Sequence, residues 1–371
     1  MKSEWKKCGL GSLITFKNGK KRPETGAAFP VYGGNGVLGY ADKWNNENCV
    51  VIGRVGAYCG SVFREKKQCW ISDNAISGVS GNNNIDYLYY LLKSLQLNKR
   101  HIGTSQPLLT QEILNNIQVT IPPSAVQKEI ASILLSLDEK IELNSKINDN
   151  LQQQAAAIFR SWFVDCAPFG GKVPDEWENV TLEDITTLVS RGITPKYADD
   201  TDQIVINQKC IRNHTIDLSL ARTHTPKVVN EKWLRFGDLL INSTGDGTLG
   251  RAAQVWFRPQ KLTVDSHVTI ARPAKENLIF YIGLWGILHE KEIEALHTGS
   301  TGQTELPRDR VKAMELLLPD NDTLDRFTAL ITPMAAAIVA NQEENNRLAA
   351  LRDAVLPKLM SGEIDVSAVQ F

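Results

Sequence analysis

The stretch "GTSQPLLTQEILNNIQVTIPP" (103–123) returns in altered form as "GSTGQTELPRDRVKAMELLLP" (299–319). The aligned pairs, all at an offset of 197 residues, are Gln106 with Gln303, Leu109 with Leu306, Val119 with Leu316, Ile121 with Leu318 and Pro122 with Pro319. Nearer the start of each copy, Trp5 aligns with Trp177 and Leu10 with Leu182 at an offset of 172. A repeat at a fixed period indicates tandem structural units. We therefore predict two units, each a variable globular part followed by a helix.

The middle of each unit repeats more loosely. "VVIGRVGAYCGSV" (50–62) resembles "LLINSTGDGTLGRAA" (239–253), and "SDNAI" (72–76) resembles "DSHVTI" (265–270). Short apolar runs broken by Gly and Asn are typical of strands, while "IDYLYYLLKSLQL" (85–97) has the pattern of a helix. The globular parts are therefore predicted to mix α and β structure, in the α/β (α+β) class.

After each globular part, steps of four and three residues follow a mostly apolar seam. A spacing of 3.5 residues with an apolar majority is typical of a coiled coil. The predicted seam residues are Leu134, Leu137, Ile141, Asn144, Asn148 and Leu151 in the first helix, and Ile331, Ile338, Asn341, Asn345 and Leu348 in the second. Each seam covers about 33 residues, a length of about 50 Å in a helix.

Both seams carry two asparagines at the same midpoint. Buried Asn in a seam favours the one register in which the amides meet, which indicates that the helices pair with each other. We predict an antiparallel coiled coil with pseudo-twofold symmetry, which places the globular parts at opposite ends. The alternative is two unrelated amphipathic helices, each packing on its own domain. Ser124 and Gln127 predict a capping box, and Pro333 predicts a helix start or a kink.

These observations predict four segments. The boundaries are 1–123 for the first globular domain, 124–165 for the central helix, 166–320 for the second globular domain and 321–371 for the C-terminal helix. If each domain contacts DNA, two readers of different sequence predict an asymmetric site with two parts.

Composition places the chain among globular proteins, with 42% hydrophobic and 22% charged residues and a mean hydropathy of −0.22. We expect no membrane-spanning stretch of about 18 apolar residues and no signal peptide, and hence a cytoplasmic location. The six cysteines form no CxxC pair, so we expect inert reduced thiols rather than zinc ligands or disulfides.

Charge is unevenly distributed although the formal net charge is −1. Residues 1–123 hold 15 basic and 8 acidic residues, whereas residues 168–320 hold 18 basic and 21 acidic residues. A basic domain inside a neutral chain is one footprint of nucleic-acid binding.

At this point a family resemblance is visible over nearly the whole chain. "IFRSWFVDCAPF" (158–169), "LPKLMSGEIDV" (356–366) and the "GTSQPLL" and "GSTGQTEL" stretches resemble the DNA-specificity subunit of type I restriction-modification systems. Cys166 and Ala167 depart from the family, which is often more aromatic and acidic there.

The resemblance implies two target-recognition domains, each reading half of a bipartite site in double-stranded DNA. It also implies conserved helices that dock modification (methyltransferase) subunits, two in number, and restriction subunits. S-adenosylmethionine, ATP and Mg²⁺ are then expected on those partners, with no cofactor, metal or catalytic residue on this chain.

The sequence itself is consistent with a non-catalytic chain. No Asn-Pro-Pro-aromatic motif of an adenine methyltransferase and no Walker A motif occurs. "GDGTLG" (245–250) matches GxGxxG, but "RAAQVWF" follows it, and a dinucleotide site requires a helix there. We predict a glycine hairpin. The six histidines are scattered, without paired carboxylates at ligand spacing.

DNA contacts require Lys, Arg and small polar donors for phosphates, and Arg, Lys, Asn or Gln for base edges. Candidates in the first unit are Lys17, Lys20, Lys21, Arg22, Asn35, Arg54, Tyr58, Asn74, Ser105 and Gln106. Candidates in the second unit are Arg191, Thr194, Lys196, Lys209, Arg212, Ser243, Asp246, His267, Thr301 and Gln303. "KNGKKR" (17–22) is the strongest single stretch because five of its six residues are charges or amides.

Two other functional classes stay open at this stage. The chain could be a free-standing enzyme that uses S-adenosylmethionine or a nucleotide, built on "GDGTLG". It could also be a coiled-coil scaffold that never binds DNA. Saturable binding of S-adenosylmethionine or NAD would favour the first. The second would be favoured if changing Lys20, Lys21 and Arg22 to Ala altered neither DNA affinity nor its salt dependence.

Overall fold

The computed structural model describes residues 5–103, 106–245, 247–299 and 304–366. By its internal contacts the chain forms two compact units, residues 1–142 with 345–371 (unit 1) and residues 143–344 (unit 2). Each unit therefore contains one globular part together with a segment of each long helix.

The globular part of unit 1 is built around a six-stranded sheet. Its elements are β1 (Lys6–Gly9), β2 (Thr15–Asn18), β3 (Phe29–Gly33), β4 (Gly36–Ala41), β5 (Asn46–Gly53), β6 (Val62–Ile71), β7 (Ala75–Val79), α1 (Ile85–Ser94), α2 (Gln111–Asn116) and β8 (Gln118–Ile121). The sheet order is β2-β7-β5-β6-β3-β4, and β1 pairs separately with β8. Tyr87, Leu88 and Leu92 of α1 are buried in one core with Val50 and Ile52 of β5.

The first long helix, α3 (Ser124–Phe163), follows β8 after two prolines. The predicted capping box does not form. The Gln127 amide instead donates to the carbonyl of Pro122, and its oxygen accepts from the backbone N–H of Asn84. Gln127 therefore ties the start of α3 to the loop before α1.

The globular part of unit 2 has the same plan with insertions. Its elements are β9 (Glu178–Thr181), β10 (Thr186–Arg191), β11 (Ile204–Ile206), β12 (Ile211–Arg212), β13 (Thr215–Ile216), β14 (Arg222–Thr223), β15 (Leu239–Asn242), β16 (Ala252–Gln254), β17 (Leu262–Val264), β18 (Val268–Pro273), α4 (Ile279–Leu288), α5 (Glu290–Ala295), α6 (Arg308–Lys312) and β19 (Glu315–Leu318). The sheet order β10-β18-β15-β16 reproduces β2-β7-β5-β6.

The sequence repeat is a repeat of hydrogen-bond register. β1 pairs with β8 so that Lys6 faces Ile121, and β9 pairs with β19 so that Glu178 faces Leu318, the positions that the offsets of 172 and 197 relate. The next bond repeats too: Leu10 N donates to Ile117 O, and Leu182 N to Met314 O. The mixed α and β class is thereby observed in both units.

The glycine hairpin is confirmed. β15 and β16 flank "GDGTLG" as an antiparallel pair, with Leu239 opposite Gln254. Gly250 has φ +83° and donates its N–H to Asn242 O, which turns the chain sharply. Strand β16, rather than a helix, follows the hairpin directly, so its glycines lack the helix N-terminus that a dinucleotide site requires.

The second long helix, α7 (Asn321–Met360), begins before Pro333 and continues through it, so the expected start at Pro333 is wrong. Asp320 caps α7, accepting the N–H and hydroxyl of Thr323 and the indole N–H of Trp177. The hydrogen bond from the Thr323 N–H lowers the pKa of Asp320, which keeps the cap ionised.

One 18-residue window of α7 has mean hydropathy 1.3, which corrects the expectation that no segment is long and apolar enough to span a bilayer. Length and composition are weak evidence by themselves. Phe327, Ile331 and Ile338 of α7 are buried in the core of unit 2, as in a helix packed inside a folded domain.

Within unit 1, the two helices run antiparallel. Asp138 of α3 binds Arg352 of α7 (2.6 Å), and Asn345 donates to Ile141 O (3.4 Å), so the residue numbers rise along one helix as they fall along the other. The Tyr90 hydroxyl also donates to Asp138 (2.6 Å). Of the seam residues in this unit, Leu134 is buried, and Leu137, Ile141, Asn345 and Leu348 are half-buried.

Within unit 2, the seam asparagines meet. Asn341 donates to the side-chain oxygen of Asn148 (2.8 Å), and Asn144 donates to Glu344 (2.7 Å). Asn144, Asn148, Ile331 and Ile338 are buried, while Leu151 and Asn341 are half-buried. The offset of 197 relates Asp138 and Arg352 of unit 1 to Ala335 and Ala155, both buried in the core of unit 2. The repeat thus places an ion pair in one unit where the other has two alanines.

An aromatic cluster anchors the end of α3 in unit 2. The "IFRSWFVDCAPF" segment supplies Phe159 and Phe163, whose rings lie within 6.1 Å and 4.8 Å of the ring of Phe327. Phe163 also contacts Trp177 at 5.7 Å between ring centroids. The motif is therefore a packing element that joins α3, α7 and the start of the second globular part.

The Asp138–Arg352 pair gives a stability prediction. We expect Arg352→Ala to lower the free energy of unfolding by about 1.5–3 kcal/mol, because it removes a charged hydrogen bond from two mostly buried side chains. Lys66→Ala, which breaks the exposed Lys66–Glu139 pair of the same unit, is the matched control and should cost less than about 1 kcal/mol.

Urea unfolding followed by circular dichroism measures both losses. Asp138→Ala combined with Arg352→Ala should cost less than the sum of the two single losses, since the residues interact directly. If the two single losses of unfolding free energy added up to the loss in the double variant, Asp138 and Arg352 would not interact directly.

Candidate nucleic-acid interface

Four segments of the first globular part meet at one corner, here called the first loop cluster: residues 19–20, 54–56, 72–75 and 106–109. Backbone hydrogen bonds fix it. Lys20 N donates to Ile71 O (3.0 Å), Arg54 N to Asn74 O (2.9 Å), and Leu109 N to Arg54 O (2.9 Å). Each bond joins residues far apart in sequence, so the corner forms only in the folded domain.

Unit 2 contains the same arrangement, here called the second loop cluster: residues 192–193, 243–244, 264–268 and 304–306. Ile193 N donates to Val264 O (2.9 Å), Ser243 N to His267 O (2.8 Å), and Leu306 N to Ser243 O (2.8 Å). The bonds correspond one to one with those of the first loop cluster. Lys20, Arg54 and Asn74 thereby correspond to Ile193, Ser243 and His267, so the backbone is shared and the side chains differ.

Each cluster depends on one glycine. A Cβ on Gly19 would overlap the carbonyl oxygen of Ser72, and a Cβ on Gly192 would overlap the carbonyl oxygen of Val264. Only glycine allows these two segments to approach so closely. The close approach brings the stretch after each glycine to the cluster.

Most first-unit candidates are exposed around the first loop cluster. The backbone of Gly34 lies against Asn74 and Tyr58, and Asn35 is the next residue in the chain. The exposed candidates are Lys17, Lys20, Lys21, Arg22, Asn35, Tyr58, Asn74 and Gln106. Lys17 is the outlier because it lies within β2, away from the cluster, and Arg22 donates to Leu38 O of β4 (3.2 Å).

Arg54 is half-buried, and its buried Nε makes no hydrogen bond within the described residues. Its backbone joins two of the segments described above. A guanidinium held at the corner with an unsatisfied donor is suited to an acceptor supplied from outside the chain.

Second-unit candidates divide into exposed and structural residues. Those that are exposed are Thr194, Lys196, Lys209, Arg212 and His267. The Arg191 side chain is bound within the domain, since it donates to Leu306 O (2.9 Å) and pairs with Glu305 (2.5 Å).

The prediction that Ser243 contacts DNA is wrong. It is fully buried, and its hydroxyl bonds with that of Thr269 (2.6 Å), so it cannot reach DNA. Four further candidates, Ser105, Asp246, Thr301 and Gln303, lie outside the described residues.

Asp265 has a structural role in the second loop cluster. It is buried and accepts the N–H of His267 (2.9 Å). Burial raises the pKa of Asp265, and the hydrogen bond from His267 offsets part of that rise. Asp265 therefore shapes the turn that presents His267.

Exposed aromatic residues were not among the sequence candidates apart from Tyr58. In unit 1 they include Tyr40 and Trp44, at 51% and 47% exposure. In unit 2 the Arg222 guanidinium carbon lies 3.6 Å from the centre of the Tyr197 ring. These two residues are 25 positions apart, so only a structure reveals their contact; the one available sequence signal was the position of Tyr197 shortly after Gly192.

Groups of three or more His, Cys, Asp or Glu suited to a metal ion do not occur in the described part of the chain. The six cysteines are free thiols, and five of them are buried.

Comparison with known proteins shows which family the chain resembles. Residues 2–153 match the family described as "Type I restriction modification DNA specificity domain". The specificity subunit of the type I restriction enzyme MjaIX from Methanocaldococcus jannaschii is 26% identical over 309 residues, which cover 76% of this chain and 69% of that protein. The HindI specificity subunit from Haemophilus influenzae is 23% identical over 334 residues, covering 70% of this chain and 71% of that protein.

Over most of its length the chain is therefore similar to the specificity subunits of type I restriction-modification systems, and residues 2–153 match that family's domain. The crystal structure of such an S subunit from M. genitalium has the same fold. It superposes with a TM-score of 0.61 at 16% identity and covers 96% of both chains. The family resemblance read from the motifs is thereby confirmed.

Gly19 provides a test of the first loop cluster. We expect Gly19→Ala to lower the free energy of unfolding by about 1–3 kcal/mol, because the added methyl forces the two segments apart. Gly81→Ala is the control, since a Cβ there meets nothing within 4 Å, and it should change stability by less than about 0.5 kcal/mol. Urea unfolding measures both; equal effects would show that the close approach is unimportant.

Proposed function

We propose that this chain is the DNA-reading subunit of its restriction-modification complex and binds an asymmetric, two-part site. Each globular part acts as a target-recognition domain that presents its loop cluster to one half of the site. Exposed Lys and Arg contact phosphates, and Asn, Gln, Arg and His are available for base edges.

The observation that carries the proposal is the pair of loop clusters. Their hydrogen bonds correspond position by position, so each unit holds four loop segments in the same relation. Their side chains differ: Lys20, Arg54 and Asn74 in one stand where Ile193, Ser243 and His267 stand in the other. Of these residues Lys20 and Asn74 are exposed in one cluster and His267 in the other, and two like frameworks that expose different side chains suit two half-sites of different sequence.

We further propose that α3 and α7 dock two modification subunits and the restriction subunits. In support, both helices expose large apolar side chains: Leu143, Ile147, Leu330 and Leu351 are 52%, 40%, 41% and 50% exposed. Exposed apolar residues of this size on helices favour protein partners. S-adenosylmethionine, ATP and Mg²⁺ then bind those partners, and this chain carries out no chemical step itself.

Methylome sequencing tests the two-reader proposal. In cells that express this chain with its modification subunit, we expect methylated adenines in a motif of two unlike parts separated by an unspecified spacer. A one-part motif, or two identical parts, would contradict it. Saturable binding of S-adenosylmethionine to the isolated chain would contradict the non-catalytic assignment.

The basic stretch at the first loop cluster gives a second prediction. Changing Lys20, Lys21 and Arg22 to Ala should weaken binding of the complex to its cognate duplex and reduce the slope of log affinity against log salt by about 1–3, because fewer counterions are released. Fluorescence anisotropy at several salt concentrations measures both quantities.

The matched control removes three exposed lysines outside both loop clusters, Lys128, Lys172 and Lys275, with the same change of net charge. We expect little change in its salt slope. Equal effects of the two triple variants would mean that net charge, rather than the loop cluster, governs DNA affinity.

A further inference from the structure

We propose that Arg222, held flat against Tyr197, reads a guanine in the half-site bound by the second globular part. The inference rests on the proposed function, because it assigns a base contact to one reader. It concerns two residues that composition and spacing did not single out.

The stack is fixed from both sides. β14, which carries Arg222, is an edge strand of the three-stranded sheet β14-β11-β17. The segment after Tyr197 is tied to it: Ala198 N donates to Thr223 O (3.3 Å), and the Thr223 hydroxyl donates to Ala198 O (2.6 Å). The backbone therefore holds the ring and the guanidinium opposite each other at 3.6 Å.

Both side chains face solvent. Tyr197 is 40% exposed and Arg222 is exposed. Stacking covers one face of the guanidinium. Its N–H donors point outward in the plane of the group and so stay available for a ligand. An ordered side chain loses less conformational entropy when it binds. The stack therefore presents a pre-oriented set of donors.

Arg222 differs in this respect from the other arginines of the second globular part. Six of those eight arginines are bound to other groups of the chain: Arg191, Arg251, Arg258, Arg272, Arg308 and Arg310. The side chains of Arg212, Arg222 and Arg235 make no hydrogen bond or ion pair within the described residues. Of these three, Arg222 is the one that lies against an aromatic ring.

The position adjoins the second loop cluster. Gly192 and Ile193 belong to the cluster, and the chain reaches Tyr197 four residues later. Lys196 accepts the N–H of Thr225 on its carbonyl (2.8 Å), and Lys227 Nζ donates to Thr194 O (3.2 Å). These two bonds tie the segment after the cluster to the chain just beyond Arg222, and the two lysines are available there for phosphates while Arg222 reaches a base.

Guanine is the base that fits this donor set. Its O6 and N7 are two acceptors on the major-groove edge, and a planar guanidinium bonds both at once. A lysine ammonium is a point charge and cannot reproduce that fork. The expected ligand is therefore the O6 and N7 edge of a guanine in duplex DNA.

The test uses the complete complex with its modification subunit and the motif found by methylome sequencing. We expect Arg222→Ala to weaken binding to the cognate duplex about 5- to 150-fold. At one guanine of the second half-site, the variant should accept other bases in the methylated motif. On a duplex already substituted there, wild type and variant should bind equally. Arg222→Lys should not restore the preference.

Tyr197 variants and a control separate stacking from charge. Tyr197→Phe keeps the ring and should retain the preference, whereas Tyr197→Ala should weaken it. Arg235→Ala removes an exposed arginine that is not stacked, and the motif should stay unchanged.

Three outcomes would overturn the inference. Unchanged affinity and motif in Arg222→Ala would mean that Arg222 does not touch DNA. A uniform loss on all sequences with a smaller salt slope would make it a phosphate contact. Relaxation at a base other than guanine would refute the assigned ligand. A wild-type complex without a two-part motif would instead refute the proposed function, so the two failures are distinguishable.

Discussion

The pairing of the first and last strands of each globular part is the constraint on which the rest depends. In unit 1, β1 and β8 bring the two ends of about 120 residues together immediately before α3 begins; β9 and β19 do the same in unit 2 before α7. Because the first and last strands of each globular part are paired, its two ends lie side by side. The residues between those strands can therefore vary without changing how the globular part joins its helix. The loop clusters lie within that variable stretch.

At the loop clusters, however, the two units share their backbone hydrogen bonds and differ in their side chains. The backbone bonds repeat in both units, and Gly19 and Gly192 allow the same close approach. A main-chain bond does not depend on the identity of the side chain, so Lys20 can correspond to Ile193 and Asn74 to His267 within one geometry. A fixed framework with exchangeable side chains is what a family of DNA readers requires, since base readout depends on which donors and acceptors are presented.

The helices show how an internal repeat becomes asymmetric. Asp138 and Arg352 form an ion pair in unit 1, and their repeat equivalents in unit 2 are buried alanines. A helix that paired with a copy of itself would place Asp138 opposite an alanine and leave the carboxylate without Arg352. Losing the charged partner of a half-buried carboxylate is costly, so the ion pair favours pairing of α3 with α7. The hydrogen bond between Asn148 and Asn341 also favours the register in which α3 and α7 pair.

Much of the fold followed from sequence alone, because the repeat, the seam period and the turn glycines are local signals. They predicted two units, mixed α and β structure, two long helices and the hairpin at "GDGTLG", and the motifs resembled those of type I specificity subunits. Other predictions failed where the local structure depends on contacts with residues far away in the sequence. Gln127 binds Pro122 and Asn84 instead of capping α3. Helix α7 runs through Pro333 because Leu324, Phe327 and Ile331, which precede the proline, are packed in the core of unit 2.

For the candidate site, residue types pointed to basic and amide side chains, and most of those described are exposed. Exposure and partnership are tertiary properties, however. Ser243 is buried against Thr269, and Arg191 is bound by Glu305, neither of which spacing along the chain reveals. Arg222 and Tyr197 became a candidate only when the fold brought them into contact. The sequence by itself determined the repeat and its chemistry; the tertiary structure decided which side chains remain available, because burial and hydrogen bonding join residues far apart in the chain.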